Sequence, residues 1–294
     1  MRLIKTYSKG YFLCLIFLLL FQPDGQSQTL NNKFLWQNHW FIGVSGGPAQ
    51  TKISNRGTSV ISGTVTKKEI SYSLSVDAGY FFSKHFGLST GIGLSPYFSK
   101  LSLDPYSNTL DTIDSENESY ERRISGNDIN ETQKIYFLEI PVILNFQCPF
   151  GKSIGFYLQS GVNMAIQVGN NYSSSGIFSY SGYYPAYNVV LEDIPYEGFK
   201  NNVENDVSGE LKVKTFNPEL VASGGFYFHN QKHLQISAGF SYKSMFSDIS
   251  DYPPVENFQL STHENQLRSL MEGSEKAAAS SMGIIISLRY YIIK

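Results

Sequence analysis

Apolar side chains recur at every second residue along eight segments of this 294-residue chain. From Ile70 to Phe82 the even-numbered residues are apolar, whereas most odd-numbered ones are serine, aspartate or glycine. A period of two is typical of a strand whose two faces meet different surroundings. The runs are about 10 residues or longer, enough for a tilted strand to cross a bilayer, and the mean soluble strand has only about 5–6 residues. The eight segments begin at Trp40, Ile70, Gly87, Ile135, Ile154, Glu219, Leu234 and Ser281.

The connections between these segments alternate between short and long. The short ones are residues 83–85, 149–152 and 229–232, and the long polar ones are 51–69, 104–132, 170–210 and 247–279. Short periplasmic turns that alternate with long outer loops are typical of bacterial outer-membrane barrels. The sequence therefore predicts an all-β fold, an eight-stranded antiparallel up-and-down transmembrane β-barrel with long extracellular loops. Both chain ends are expected on the periplasmic side, where aromatic residues such as Trp40, Phe150 and Tyr290 also concentrate.

The composition agrees with strands that face lipid. Only 16% of the residues are charged, against roughly 25% in soluble domains, and 15% are aromatic. A helical membrane protein would need apolar runs of about 20 residues, and a disordered chain would be poor in aromatics. The formal net charge of −2 argues against a nucleic-acid partner. Lipid of the outer membrane is the expected partner of one face of each strand.

The first 27 residues have the pattern of a secretory signal peptide. A basic stretch with Arg2, Lys5 and Lys9 precedes an unbroken apolar run at 11–21, and small residues at 25 and 27 suit cleavage after Ser27. We therefore expect a signal peptide at 1–27 and a barrel domain at 28–294, the alternative being an N-terminal membrane anchor. Only Cys148 would then remain, so an intrachain disulfide is not expected.

The predicted fourth strand contains the run IYFLEIPVIL at residues 135–144. This run resembles the Y-x-L-E-I-P-hydrophobic strand of the outer-membrane β-barrel family often labelled PorT-like, whose glycine-rich hairpins are similar to residues 87–93. The resemblance implies an eight-stranded barrel in the bacterial outer membrane. It implies no particular activity, and the member that names the family belongs to a type IX secretion apparatus. The chain departs from the usual barrel ending, because its last residue is Lys294 rather than an aromatic residue.

Five charged residues fall on the inward-facing positions of the predicted strands. Ionised side chains inside a small barrel need partners, so we expect a lumen charge network, with Glu219–Lys243 as the first pair to test. The alternative is a gated path for ions. The five residues are Asp77, Glu139, Glu219, Lys243 and Arg289.

The predicted third outer loop is rich in tyrosine, which suits adaptable contact surfaces. We expect either a surface that binds a ligand or partner, or a cap that packs on itself. The acidic segment 111–118 lacks the central glycine of a calcium loop and is expected to be solvated, and residues 264–279 are expected to form a short helix. The candidate contact residues are Phe178, Tyr180, Tyr183, Tyr184 and Tyr187.

The sequence carries no catalytic motif that we would assign. His263 has Ser261 and Glu264 beside it, but residues within one loop do not make a triad without the right geometry. We expect no cofactor or metal. The predicted function is a non-enzymatic surface component, or one associated with assembly or secretion, whose outer loops bind another outer-membrane or periplasmic protein. The alternatives are a small transport channel and a hydrolase at the barrel rim.

Overall fold

Strands account for nearly all regular structure in the described part of the chain, which a computed structural model defines for residues 37–56, 63–151, 153–230, 233–253 and 258–292. The predicted signal peptide at 1–27 lies outside these residues. A 3-10 turn, Pro195–Glu197, is the remaining element there, and no helix among the described residues is long and apolar enough to span a membrane. The strands are β1 Trp40–Arg56, β2 Val65–Phe81, β3 Phe86–Leu103, β4 Tyr106–Ile113, β5 Ser119–Pro149, β6 Ile154–Tyr184, β7 Val189–Leu191, β8 Lys200–Gly209, β9 Phe216–His229, β10 Leu234–Met245 and β11 Lys276–Ile292.

Eight of these strands close into a ring. The order around it is β1, β2, β3, β5, β6, β9, β10 and β11, and every pairing is antiparallel, including the closing pair β1–β11. A closed ring leaves no edge of unpaired backbone groups, which is the condition for strands to lie in lipid. The eight-stranded antiparallel transmembrane barrel predicted from the sequence is confirmed.

The alternation of side chains gives the ring an apolar outside. On β2, Tyr72 and Leu74 are 71% and 67% exposed on the outer face, whereas Ser71 on the inner face is buried. Exposed aliphatic and aromatic side chains repeat this arrangement on all eight barrel strands, which forms a lipid-facing belt. Trp40 and Tyr80 pack together at one boundary of the belt, with ring centroids 5.1 Å apart. We call this boundary the turn end, because the short connections join the strands there, and the opposite one the loop end.

The long connections at 104–132 and 170–210 are not the irregular loops that the sequence suggested. Strands β5 and β6 have 31 residues each, and at about 3.3 Å per residue that length is far more than a lipid core of about 30 Å requires. Beyond the lipid belt, β4 pairs with β5, and β7 and β8 pair with β6. The prediction failed because the outward residues of these strands are polar, which hides the alternate apolar residues on their inward face. We call this continuation of the wall, formed by β4, β7, β8 and the outer parts of β5 and β6, the outer extension.

Residues 246–253 and 258–275, the described parts of the connection between β10 and β11, fold back over the open end of the barrel, and we call them the mouth loop. The expected short helix at 264–279 is wrong: residues 264–273 form turns, and β11 already begins at Lys276. Backbone bonds anchor the start of the loop, since Ile249 N donates to Ala277 O at 2.9 Å and Lys214 N donates to Ile249 O at 2.9 Å. The mouth loop therefore covers the lumen as part of the folded structure.

Candidate functional site: the barrel lumen and its mouth

An aromatic cluster closes the lumen at the turn end. Phe41, Phe81 and Tyr291 are fully buried, and their ring centroids lie 5.7–6.2 Å from one another. They come from the start of β1 and from the ends of β2 and β11, which the ring brings side by side. The Tyr291 hydroxyl donates to Gln235 Oε1 at 2.9 Å, which satisfies its polar end inside the barrel. This layer leaves no wide opening toward the turns.

One ion pair lies directly above this aromatic layer. Arg289 on β11 and Asp77 on β2 are 3.4 Å apart, and the guanidinium also donates to Asn145 Oδ1 at 3.1 Å. The Arg289 guanidinium carbon lies 4.5 Å from the centre of the Phe41 ring, on which it stacks. Cation–π stacking and a carboxylate together stabilise a guanidinium that is nearly removed from water.

A second ion pair crosses the lumen in the next layer. Lys243 Nζ on β10 lies 2.5 Å from Glu139 Oε2 on β5 and donates to Ser95 Oγ at 2.9 Å. The expected pair Glu219–Lys243 is not what forms. The register places Met245 rather than Lys243 opposite Glu219, and the long Lys243 side chain reaches across the lumen to Glu139 instead.

Glu219 joins this layer through two residues that the sequence analysis did not single out. The Tyr97 hydroxyl donates to Glu219, and Asn163 Nδ2 donates to Glu219 Oε2 at 2.8 Å and to Glu139 Oε2 at 3.0 Å. All five predicted lumen residues thus point inward, and the structure brings Glu139, Glu219 and Lys243 into one network. Asn163 also lies on an inward position, so the alternation of inward and outward residues along the strand, which we call strand parity, could have identified it.

Four of the lumen charges, Asp77, Glu139, Lys243 and Arg289, line a small cavity of about 100 Å³ whose wall also contains many serines. Three carboxylates face two cations in this part of the described structure. Asp77 Oδ1, Glu139 Oε1 and Asn163 Oδ1 have no hydrogen-bond partner among the described residues. Nowhere in the described ranges are three or more His, Cys, Asp and Glu side chains grouped so that they could hold a metal ion. The cavity can accommodate a few water-sized molecules.

An apolar cluster closes the lumen on its other side, toward the loop end. Tyr97 and Phe137 pack edge-to-face at 5.7 Å between ring centroids. Side chains from the barrel wall and from the mouth loop complete this layer. The interior of the barrel beyond the lipid belt therefore resembles the core of a soluble protein. Its buried members are Ile53, Tyr97, Ile135, Phe137, Ala165, Leu211, Val213, Met245, Ile249, Met271, Ala277 and Ala279.

A further apolar cluster fastens the mouth loop to the outer extension. Phe258, Leu260 and Leu270 of the loop are at most 2% exposed and pack against Ile124 and Phe178 of β5 and β6. Burying a large apolar side chain stabilises the closed arrangement by about 1.5–3 kcal/mol. The mouth loop is thus a packed lid and not a solvated loop.

Two buried charged residues of β5 hold the mouth loop by its backbone. Glu131 accepts hydrogen bonds from Leu270 N at 2.8 Å and Ser269 Oγ at 2.9 Å, and burial raises the pKa of its carboxyl to about 7. Arg122 donates to Thr262 O at 3.1 Å and to Gly198 O at 2.9 Å. Both residues lie in a stretch that the sequence predicted to be a loop, so strand parity was not applied to them.

The predicted tyrosine contact surface is wrong for three of its five residues. Phe178, Tyr180 and Tyr184 are 0%, 1% and 7% exposed, because β6 continues through this segment and turns alternate side chains inward. Tyr180 bonds to Ser261 Oγ at 2.7 Å, which ties it to the mouth loop. Tyr187, which is 62% exposed, remains at the surface, and Tyr183 is partly exposed.

The acidic segment 111–118 forms the tip of the β4–β5 hairpin. Asp114 Oδ1 accepts the backbone N–H groups of Glu116 and Glu118, each at 2.9 Å, which stabilises the turn and lowers the pKa of Asp114. Tyr184 donates to Asp114 Oδ2 at 3.0 Å, and Tyr187 donates to Glu118 Oε1 at 2.5 Å. The acids therefore have a structural role in joining two hairpin tips.

His263 lies in a turn of the mouth loop, where its carbonyl accepts a hydrogen bond from Tyr180 at 3.2 Å. Burial, with a contribution from Arg122, lowers the pKa of its imidazole. Ser261, the neighbour considered from the sequence, directs its hydroxyl to Tyr180 and to the His263 backbone. This geometry does not align a nucleophile with the imidazole.

The fold and its lumen define a transmembrane β-barrel whose interior is filled by side chains. The chain matches a family model described as an outer membrane protein beta-barrel domain over residues 26–251, and it belongs to this family of bacterial outer-membrane proteins. In such barrels the short turns face the periplasm and the long connections face outward, so the outer extension and the mouth loop are extracellular.

Three solved barrels illustrate how distant the similar structures are. The attachment invasion locus protein Ail of Yersinia pestis is 11% identical, with a TM-score of 0.31, over 87% of this chain and 99% of its own. OprG of Pseudomonas aeruginosa is 13% identical, with a TM-score of 0.34, over 89% and 100%. Neisserial surface protein A is 9% identical, with a TM-score of 0.34, over 85% and 96%. No curated protein sequence matches the chain. These similarities are too weak to assign an activity.

Proposed function

We propose that the chain is a non-enzymatic surface protein of the outer membrane that binds a protein partner through the tip of its outer extension. The observation that carries the proposal is the exposure of large apolar side chains there. Tyr196 is 85% exposed, Tyr187 62%, Ile113 59% and Val190 46%. These side chains lie beyond the lipid belt, and clustered apolar exposure in water is typical of interaction sites.

The tip is held in place well enough to serve as a binding surface. Its hairpins are continuous with barrel strands, and the stacked rings of Tyr120 and Tyr184 lie beneath it at 5.1 Å between centroids. A groove of about 260 Å³ between residues 111–113, 119–121 and Pro185 adds a concave feature. A preorganised surface loses little conformational entropy on binding, which favours affinity.

The proposal includes two finer features that rest on the sequence alone. Residues 1–27 act as a cleaved signal peptide, and the chain is a PorT-like barrel whose partner is another outer-membrane or periplasmic protein. The motif at 135–144 supports the second feature. Within that motif Val142 and Leu144 face lipid, and Glu139 forms the ion pair with Lys243.

The test is affinity capture from cross-linked native outer membranes. A tip variant with Tyr187→Ser, Val190→Ser and Tyr196→Ser is compared with wild type and with Lys212→Ser, an exposed site at the base of β9. We expect a protein that wild type and Lys212→Ser capture and the tip variant loses. Capture of the same proteins by all three chains would refute binding through the tip.

A transport channel is the second candidate, because the lumen does hold a cavity lined by charged residues. The aromatic layer and the two apolar clusters close that cavity at both ends, so we expect no stable single-channel conductance in planar bilayers. A stable wild-type conductance that changes in Lys243→Gln would refute the closed lumen. For the third alternative, a rim hydrolase, we expect no lipase or protease activity that His263→Ala removes.

A further inference from the structure

Basic side chains gather on one side of the barrel wall, just beyond the lipid belt. They face outward from β1, β2, β3, β5 and β11, which are neighbours in the ring. The chain as a whole is not basic, since 23 Lys and Arg stand against 25 Asp and Glu, so this concentration is local. We call it the cationic wall; its members are Lys52, Arg56, Lys67, Lys100, Lys134 and Lys276.

Two pairs of these cations lie directly opposite each other on adjacent strands. Lys67 on β2 is the register partner of Lys100 on β3, and Arg56 on β1 is the register partner of Lys276 on β11. Side chains in such positions point to the same face and lie close together, and like charges there are destabilising. Among the described residues, Glu69 at 3.2 Å from Lys100 is the one carboxylate that forms an ion pair with the cationic wall. The repulsion is therefore only partly compensated within the chain.

The height of the cationic wall matches a membrane surface. Phe98 and Tyr136 pack edge-to-face on the outer wall at 5.8 Å between ring centroids, as aromatic residues do at the lipid–water interface. Lys134 is the register partner of Phe98, and Lys100 lies two residues further outward on the same strand as Phe98. The ammonium groups can thus reach the level of lipid headgroups, with their alkyl stems along the apolar belt.

The surface changes at β6, the next strand around the ring, where Asn171 is the register partner of Lys134. The outward residues of β6 there are Asn171 and Ser173, and those of β8 include Glu204 and Asp206. A general preference for solubility would distribute cations around the ring. Two exposed cations, Lys212 and Lys214, precede β9, but Lys214 pairs with Asp248 at 3.6 Å. The six cations of the wall share a single carboxylate partner among the described residues, and this local excess indicates a surface that attracts anions.

We propose that the cationic wall binds the phosphate groups of anionic lipid headgroups in the outer leaflet. The phosphate oxygens accept hydrogen bonds from the opposed cations, and a shared anion converts each repulsive pair into an attractive cluster. Arg56 can engage a phosphate through two N–H groups, whereas the lysines act as point charges. Bound lipid would then orient the barrel and its extracellular tip relative to the membrane.

The experiment measures how lipids protect the full chain in zwitterionic detergent micelles. The thermal midpoint of unfolding is followed with phosphorylated lipid A, with its dephosphorylated form, and with inorganic phosphate at equal phosphate concentration. The variant is Lys67→Ser with Lys100→Ser, and a second one is Arg56→Ser with Lys276→Ser. The matched control is Lys212→Ser with Lys214→Ser, two exposed cations in the segment that precedes β9.

We expect phosphorylated lipid A to raise the midpoint of wild type and of the control, with little effect from the other two additives. The apparent affinity should fall about fivefold for each cation removed from the wall. Without anions and at low salt, the Lys67/Lys100 variant should be about as stable as wild type, because removing the repulsion offsets the loss of the exposed Lys100–Glu69 ion pair. This result also shows that the variant folds.

Three outcomes would overturn the proposal. Equal protection of wild type and both wall variants would show that the cations do not bind the lipid. An equal loss in the control would mean that net charge is responsible and not the wall. Protection by inorganic phosphate as strong as by lipid would assign the surface to free phosphate instead of headgroups.

Discussion

The mouth loop should be held more tightly in acid than in mild base, because its backbone is bound by the buried carboxyl of Glu131. This side chain is 1% exposed and lies outside the lipid belt, three residues beyond Lys134 toward the loop end of β5. Burial is the main reason that its pKa rises from 4.5 to about 7, and the hydrogen bonds from Leu270 N, Gln133 and Ser269 only partly oppose that rise. When the loop opens, water reaches the carboxyl and the ordinary pKa returns.

The sign follows from the raised pKa of the closed state. The closed state binds the proton more tightly than the open one, so its extra stability is fully present below pH 4.5 and is lost as the pH rises through about 7. The two pKa values differ by roughly 2.5, and each pKa unit is equivalent to about 1.4 kcal/mol. Between pH 5 and pH 8 this linkage amounts to about 2.5 kcal/mol, roughly a seventyfold change in the opening equilibrium.

Hydrogen exchange of the mouth-loop amides, corrected for the intrinsic exchange rate at each pH, measures this equilibrium. The protection of Leu270 N–H should fall between pH 5 and pH 8 in wild type. In Glu131→Gln, which keeps an acceptor oxygen but cannot titrate, that fall should disappear. His263 works in the opposite direction, because its lowered pKa makes the closed loop less stable in acid, so His263→Gln serves as the second control.

Two results would refute this reasoning. The first is a Leu270 amide whose corrected protection does not change with pH in wild type. The second is an equal pH dependence in wild type and Glu131→Gln, which would assign the effect to another group. Amides of the barrel strands in the lipid belt provide the internal reference, since they should stay protected at both pH values.

Three further predictions concern the lumen, the wall and the lid. Lys243→Met should destabilise the barrel by about 3–5 kcal/mol, since it leaves Glu139 buried without its cation, and adding Glu139→Gln should recover most of that loss in urea unfolding. Gly225→Ala should prevent folding, measured as loss of the heat-modifiable band in gels, because the new methyl group would lie 2.2 Å from Ala238 O. Leu270→Ala should weaken the closed mouth loop by about 2–5 kcal/mol, with exchange of loop amides increasing and barrel unfolding unchanged.

Strand parity predicted the barrel well, because one rule governs every residue that faces lipid or lumen. The inward position of Asp77 and Arg289 and the exposed face of β2 follow directly from it. Parity does not say which inward residues meet, since that depends on the stagger between strands and on side-chain length. Lys243 shows this: its register neighbours are on β9 and β11, but its ammonium group bonds to Glu139 on β5.

The outer extension was not predicted, and the reason is also physical. In lipid the outward residues must be apolar, so the alternation is strong, whereas in water they are serine, asparagine and charged residues and the alternation weakens. Phe178 and Tyr180 then look like members of a polar, tyrosine-rich loop. Their neighbours Ser179 and Ser181 point outward, and this alternation of serine with aromatic residues was the available signal.

The lumen changes character with height, and the change follows the solvent outside the wall. Within the lipid belt, above the aromatic layer at the turn end, the interior is ionic and polar, because the outward residues supply the apolar surface that membrane insertion needs. Beyond the belt the outside is polar, and the interior of the same wall becomes apolar, with Phe137 and Ile135 in place of Glu139. The lipid belt thus has an apolar outside and a polar inside, as a membrane protein does, whereas the outer extension has a polar outside and an apolar inside, as a soluble protein does. That reversal explains why the mouth loop must be present: without Phe258 and Leu270 the outer extension would expose its apolar inner face to water.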